Sequence, residues 1–494
     1  MKARRRAEHP GPVTMSRVAI VAPVASLRDA LARVADAGTV ELERVSSAAD
    51  VAPGEATQRL RHLSPAPARL TLGEPDLVAW ERAGRADLLA GEAEVASYVA
   101  DAVVRDGVAA ILGWMPSSEI RELSKRLARV GAAVAPLSIP RGTLPPTPPL
   151  PGAVRASFAP LVRTYATVPY GDLDPTLLAG LAYLVMFGAM FGDVGHGALV
   201  LLGALLLRLG RVSRFAKLRP YWRFIAGAGI SAMVFGVLYG ECFGPTGLVP
   251  TAWLAPMDHP VSLLVAGIGA GVVLLGGAYA IGTVNRVREG GWSRALYAPS
   301  GIAGSAVFLA AGLAVASWRF GAAWLGAVAA ALALTGLGLA FAGLFNAAGG
   351  GGDGALQAAV ELFDLVVRLG ANVVSFARLA AFGLTHAVIG WIVWTATVGL
   401  WHRGALGVAA AMLVFVLGNA LALTLEALVV GVQALRLEYY ELFSRVFERE
   451  GRPFRPWHVP VEPLVATPDS TRSGDASAKL GVPRVHAVSK GEVS

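Results

Sequence analysis

Arg378 and His386 share one helical face in SFARLAAFGLTHAVIG (375–390), a stretch otherwise apolar or small for several turns on either side. A guanidinium stays charged even where solvation is poor, and an imidazole gains and loses a proton near neutral pH. Placed in lipid, an ionised group costs a few kcal/mol or more, so such residues by default face a pathway or a partner. Projection at about 100° per residue puts Glu361, Asp364, Arg368, Asn372, Ser375, Arg378, Phe382 and His386 within an arc of about 120°. On the next apolar segment, Asn419, Glu426, Gln433 and Arg436 share an arc of about 100°. Two such faces meet each other, water or a partner. Internal pairing, for instance Arg378 with Glu426, is the structural alternative. Acids, a histidine and arginines at graded depths suit a relay for a small cation better.

Those helices must be built from a chain of 494 residues that is 54% hydrophobic and 16% charged, with mean hydropathy +0.55. That balance excludes an ordinary soluble globule and indicates a membrane protein with an attached domain. The net charge of +8 sits mostly beside apolar spans, where the positive-inside rule accounts for it, so no nucleic-acid partner is expected. The single Cys242 rules out internal disulfides. A spanning helix needs about 20 apolar residues, which predicts eight spans near 176–192, 194–209, 222–242, 262–285, 296–318, 321–347, 358–397 and 404–445. Thr176 to Leu209 reads either as one long helix or as two short ones meeting at FGDVGHG. Charge favours two: Arg208–Arg223, Arg286–Arg294 and Arg445–Arg455 then all fall on the cytoplasmic side, and the turn at Asp193 and His196 falls outside.

Ahead of the spans, residues 16–142 alternate strand-like and amphipathic patterns, as a cytoplasmic α/β domain does. Within it, Ala-, Arg- and Glu-rich residues from about 55 to 106 predict one or two helices forming an arm. Residues 1–15 are a basic, polar tail without the apolar core of a signal peptide, or an over-extended start ahead of Met15. LPPTPPLP (144–151) marks a Pro-rich linker, 143–175, because proline continues neither a helix nor a sheet interior. The transmembrane domain is 176–445. A cytoplasmic, mostly disordered tail is expected over 446–494.

NVVSFARLAAFGLTHAVIG followed by LEALVVGVQALRLEYYELF resembles the last two helices of membrane subunit a, called subunit I in prokaryotes, of V-type and A-type rotary ATPases. PPT, DPTLLAGLAYLVMFGAMFGDVGHG, VFGVLYGECFG and SRVAIVAPVASLRDALARVADAGTVEL agree in order, so the similarity runs from about 16 to 457. The resemblance implies a polytopic α-helical membrane protein of about eight transmembrane helices, the last two long and tilted, with an N-terminal cytoplasmic α/β domain. It implies a stator holding two ion half-channels against a ring of c subunits, linked through peripheral stalks to a soluble ATPase head. Arg378 matches the arginine facing the ring carboxylates and Arg436 its partner. His386 and Glu426 match the outer half-channel, Asp364 the cytoplasmic one, and Gln433 a polar position beside the second arginine. Glu361, Asn372 and Ser375 are further candidate lining residues. The family's long coiled-coil arm must be shortened here, since only about fifty residues are available.

No nucleotide-binding motif is present, so ATP chemistry belongs to partners and the chain is not catalytic alone; no cofactor is expected. The expected location is a prokaryotic plasma membrane with both termini cytoplasmic. A secondary ion-coupled transporter is the alternative, although spans one to four carry no stripe matching that of the last two. Gly267 and Gly271 predict close helix packing. The Gly-rich run at 349–357 lacks a phosphate loop's ending. Asp193 and His196 could form a metal pair, but two ligands make no metal site and local capping explains them better, so no metal is expected.

Overall fold

The computed structural model describes residues 13–44, 54–140, 142–148, 152–211 and 213–462. The tail expected over 1–15 falls mostly outside these, as does 463–494 of the tail expected at the other end. The chain divides into two compact units, one α/β and one helical.

In the α/β unit, β1 (Met15–Pro23), α1 (Leu27–Ala37) and β2 (Glu41–Leu42) are followed by α2 (Glu55–Leu60), β3 (Leu70–Thr71), α3 (Leu77–Arg82) and α4 (Ala86–Ala100). Then come β4 (Val103–Arg105), β5 (Val108–Pro116), α5 (Ile120–Leu127) and β6 (Ala133–Leu137). The sheet runs β2-β5-β1-β6, with β4 also paired to β5. β4 and β5 form an antiparallel hairpin whose two turn residues, Asp106 and Gly107, take φ of 50° and 78°. That is the left-handed pair a two-residue hairpin needs, and Asp-Gly supplies it cheaply. The core gathers Val18, Ile20, Leu31, Ile111, Met115 and Leu123, and also Trp457 and Val459. The chain from Pro456 to Glu462 therefore packs inside this unit rather than trailing away. Trp457 donates its backbone N–H to Val40 and its indole N–H to Glu94, and β7 (Val461–Glu462) pairs in parallel with β3.

Residues 55–100, expected as one or two helices of an arm, form three. The longest, α4, has 15 residues and packs against α1, α2 and α3. Gly91 seats it on the chain before β3, since a Cβ there would stand 1.9 Å from the Arg69 carbonyl.

The helical unit opens with α6 (Ala153–Arg163), then α7 (Thr176–Met190) and α8 (Val194–Arg208). After them come α9 (Trp222–Tyr239), α10 (Pro260–Tyr297), α11 (Ile302–Phe320), α12 (Ala323–Ala347), α13 (Gly351–Ser375), α14 (Ala377–Trp401) and α15 (Gly404–Leu437). Of the eight expected spans, six are helices long and apolar enough to cross a membrane among the described residues. The remaining two, α7 and α8, are separate helices of 15 residues each. At 1.5 Å per residue each is about 22 Å long, short of the roughly 30 Å hydrocarbon core. Their hairpin is held by backbone approach: a Cβ on Gly197 would meet the Gly229 carbonyl at 2.8 Å, and one on Gly236 the Val194 nitrogen at 2.4 Å. The expected packing role of Gly267 and Gly271 also appears, since both face Phe376, where a Cβ on Gly271 would overlap the ring.

α13 and α14 continue one another across Phe376, a run of 51 residues. α15 continues through a π-helical turn, Glu438–Phe443, as far as Val446. Beneath these helices Arg286, with no exposure, pairs with Glu289 at 2.7 Å and Glu448 at 2.5 Å. Burial opposes the charge of Glu448, but the Ser300 hydroxyl and Arg286 hold its carboxyl below the usual range. Nearby, burial and then the Glu289 charge push the Asp172 carboxyl up to about 6.

Candidate functional site

α14 and α15 pack along their length, and their two polar stripes meet at defined points. His386, 4% exposed, reaches across to Glu426, whose Oε2 contacts its Nδ1. That contact removes the alternative in which Glu426 neutralises Arg378. Arg378 instead has Nη1 3.4 Å from Glu441 Oε1, and its side chain remains 29% exposed. Glu441 is buried and accepts the Ser375 hydroxyl on that same oxygen. An acid of the same chain thus does stand beside the arginine. At 3.4 Å, through one nitrogen, it positions the guanidinium without enclosing it.

The other residues named from the sequence are spread along the seam. Asp364 pairs with Arg368 at 2.6 Å on the same helix, both side chains about half exposed or more. Glu361 is exposed and accepts from Gln357 at 3.0 Å. Asn372, with its amide oriented to satisfy both ends, donates to the Arg368 carbonyl at 3.1 Å and accepts from Arg445 at 3.2 Å. Arg436 is exposed and makes no salt bridge among the described residues. Gln433 is half-buried, its Oε1 without a partner. Asn419, on the same face of α15, turns back to the Phe415 carbonyl at 2.8 Å.

Two groups escape the projection of the sequence. Glu441 lies about 140° around from Arg436 at 100° per residue, so an α-helical wheel drops it from the stripe. The π turn, bonded i to i+5, re-aims it. The second group comes from the α7–α8 hairpin. Asp193 caps α8, accepting the His196 N–H at 2.8 Å as expected, and its other oxygen accepts the Gly244 N–H at 3.0 Å. The turn is enclosed by the rest of the unit, for Asp193 and His196 are 0% and 1% exposed. His196 stacks edge-on to His386, ring centroids 5.6 Å apart. Glu241, just past α9, is buried as well. The sequence marks Asp193 and His196 as a local pair and Glu241 as a residue of the outer vestibule or interface, but only the tertiary fold brings them to α14.

An apolar helix pair with an accessible arginine, and a buried histidine–glutamate contact two turns further along, can hold a fixed positive charge beside a proton-exchanging group. The profile of the V-type ATPase 116 kDa subunit family matches residues 100–262. Over those residues the chain is similar to that family. The A-type ATP synthase subunit I of Pyrococcus horikoshii is 24% identical over 389 residues, covering 75% of this chain and 57% of that protein. That of Aeropyrum pernix is 28% identical over 391 residues, covering 69% and 56%. The V-type ATP synthase subunit I 2 of Treponema pallidum is 32% identical over 168 residues, covering 32% and 36%. The chain spans just over half the length of these first two proteins. With its apolar helices it is an integral membrane protein.

Proposed function

We propose that the chain is the stator of a rotary V/A-type ATPase or ATP synthase, forming two ion half-channels against a c-ring and coupling proton or sodium passage to ATP hydrolysis or synthesis. The observation that carries this is the contrast along α14: a partly accessible arginine, then an enclosed His386–Glu426 pair, all within apolar helices. A guanidinium keeps its charge in a poorly solvated seam, where lysine would be neutralised by burial. Facing a passing ring carboxylate, it favours the ionised acid, so the proton leaves before the acid passes. The same charge bars protons from crossing directly between the half-channels.

On this reading Asp364, with Glu361, Asn372 and Ser375, lines the cytoplasmic half-channel. His386 and Glu426 line the outer one, and Arg436 and Gln433 flank Arg378 from α15. The short apolar helices α7 and α8 complete eight spans by pairing at the outer side. The α/β unit meets the peripheral stalks, with the helices in a prokaryotic plasma membrane and both termini cytoplasmic. The test is Arg378→Ala in the assembled complex reconstituted into vesicles. Proton pumping is expected to fall to background while the complex remains intact; pumping that persists overturns the reading.

A further inference from the structure

His196 is a side chain that the surrounding chain leaves unsatisfied. Its ring is 1% exposed, and among the described residues neither nitrogen makes a well-formed hydrogen bond, the Asn419 backbone being the one further polar group acting on it. Buried polar atoms without partners are costly unless something fills the gap. Around it stand groups of one kind. The Asp193 carboxylate lies 3.6 Å from His196 Nδ1, fixed by the backbone N–H groups of His196 and Gly244. His386 arrives from α14 with Nδ1 turned to Glu426. One ligand atom from each of Asp193, His196 and His386 lies within 4.8 Å of the other two. Phe191 and Phe243 wall the cluster, ring centroids 5.8 and 5.3 Å from His196.

The sequence offers only the Asp193–His196 pair, too few ligands for a metal; the fold adds the third. Two imidazoles and a carboxylate suit a borderline divalent cation, and three protein ligands with an open position are a common arrangement for zinc. A ligating histidine ordinarily gives its other ring nitrogen to a carboxylate, which fixes the ring and raises its basicity. Glu426 stands in that place on His386. Asp193 and Glu426 supply two negative charges beside the site, and the buried Glu241 stands close to both, so a dication meets compensating charge there. Tetrahedral donors at about 2.0–2.1 Å from a metal sit roughly 3.4 Å apart, so the cluster must contract by about 1.4 Å at its widest, within reach of a side-chain rotation. We infer that Asp193, His196 and His386 form a binding site for a divalent transition cation such as Zn2+, oriented by Glu426, whose occupation withdraws His386 and Glu426 from proton transfer. The inhibitory half rests on the half-channel reading; the binding half does not.

The experiment uses the purified, metal-free complex titrated with Co2+ in place of Zn2+. One equivalent is expected to give the visible ligand-field bands of a four- or five-coordinate site. Zn-edge X-ray absorption on the wild type should show a nitrogen–oxygen shell with imidazole scattering. His196→Gln and His386→Gln, each checked for intact assembly, should weaken binding at least about tenfold. No saturable site, a sulfur shell from Cys242, or binding untouched by both substitutions overturns the proposal and leaves water as the occupant. In vesicles, Zn2+ on the outer side should slow pumping reversibly, with at least tenfold more needed in His196→Gln. Stoichiometric binding without inhibition keeps the site and sinks the outer half-channel. Loss of pumping in Arg378→Ala with no metal bound does the reverse.

Discussion

The two ends of the α14–α15 seam differ in how their polar groups are held. Near Phe376 the arginine is loosely tethered: one long contact to Glu441, whose oxygen is shared with Ser375, and nearly a third of the side chain accessible. Two turns along, His386 is shut in by Glu426, Asp193, His196 and the ring of Phe191, 4.9 Å away. A permanently charged group needs no enclosure to keep its charge, whereas a proton-exchanging group needs neighbours that set its protonation state. The open end suits a group acting on something outside the chain, and the closed end suits one that passes a proton within it.

Glu426→Gln strikes the closed end hardest. Pumping should fall by about 100-fold or more, the scale of a lost proton-transfer group, with the dependence on outer pH abolished. Retention of that dependence would merge the two ends into one kind of site. Glu441→Gln probes the open end with a smaller expected effect, about three- to tenfold on the maximal rate, because the arginine loses its tether and keeps its charge. Its dependence on outer pH should be unaltered, and a shifted profile would place Glu441 in the relay. Asp172→Asn, outside the two polar stripes, is the smallest. The folded protein raises that carboxyl to about 6, above its unfolded value near 3.9, so the protonated form is favoured. The contribution to stability is whole below pH 4 and is lost as pH rises through 6. The substitution should therefore raise the melting temperature at pH 7.5 by about 2 °C, leave it unchanged at pH 4, and not alter pumping. Equal gains at both pH values would show that the effect is not ionisation.

What was legible in the sequence follows the range of the interaction. Arg378, His386 and Glu426 stand out because a 3.6-residue period in an apolar background needs no tertiary knowledge, and the His386–Glu426 meeting follows from two matching faces. The split of α7 from α8 was readable from charge alone. Glu441 was hidden because one π turn breaks the period. Asp193 and His196 read as a local cap, which they are, while their second role depends on a helix almost 200 residues later. The three-helix fold of residues 55–100 was hidden for the same reason, since Gly91 against Arg69 is a contact that composition does not announce.

The return of Trp457, Val459 and β7 into the α/β unit orders events in time. Residues made before any membrane helix finds its bilayer obtain part of their core from residues synthesised after the last one. Until Trp457 and Val459 are made, the α/β unit lacks the indole that bonds Val40 and Glu94 and the strand that pairs with β3.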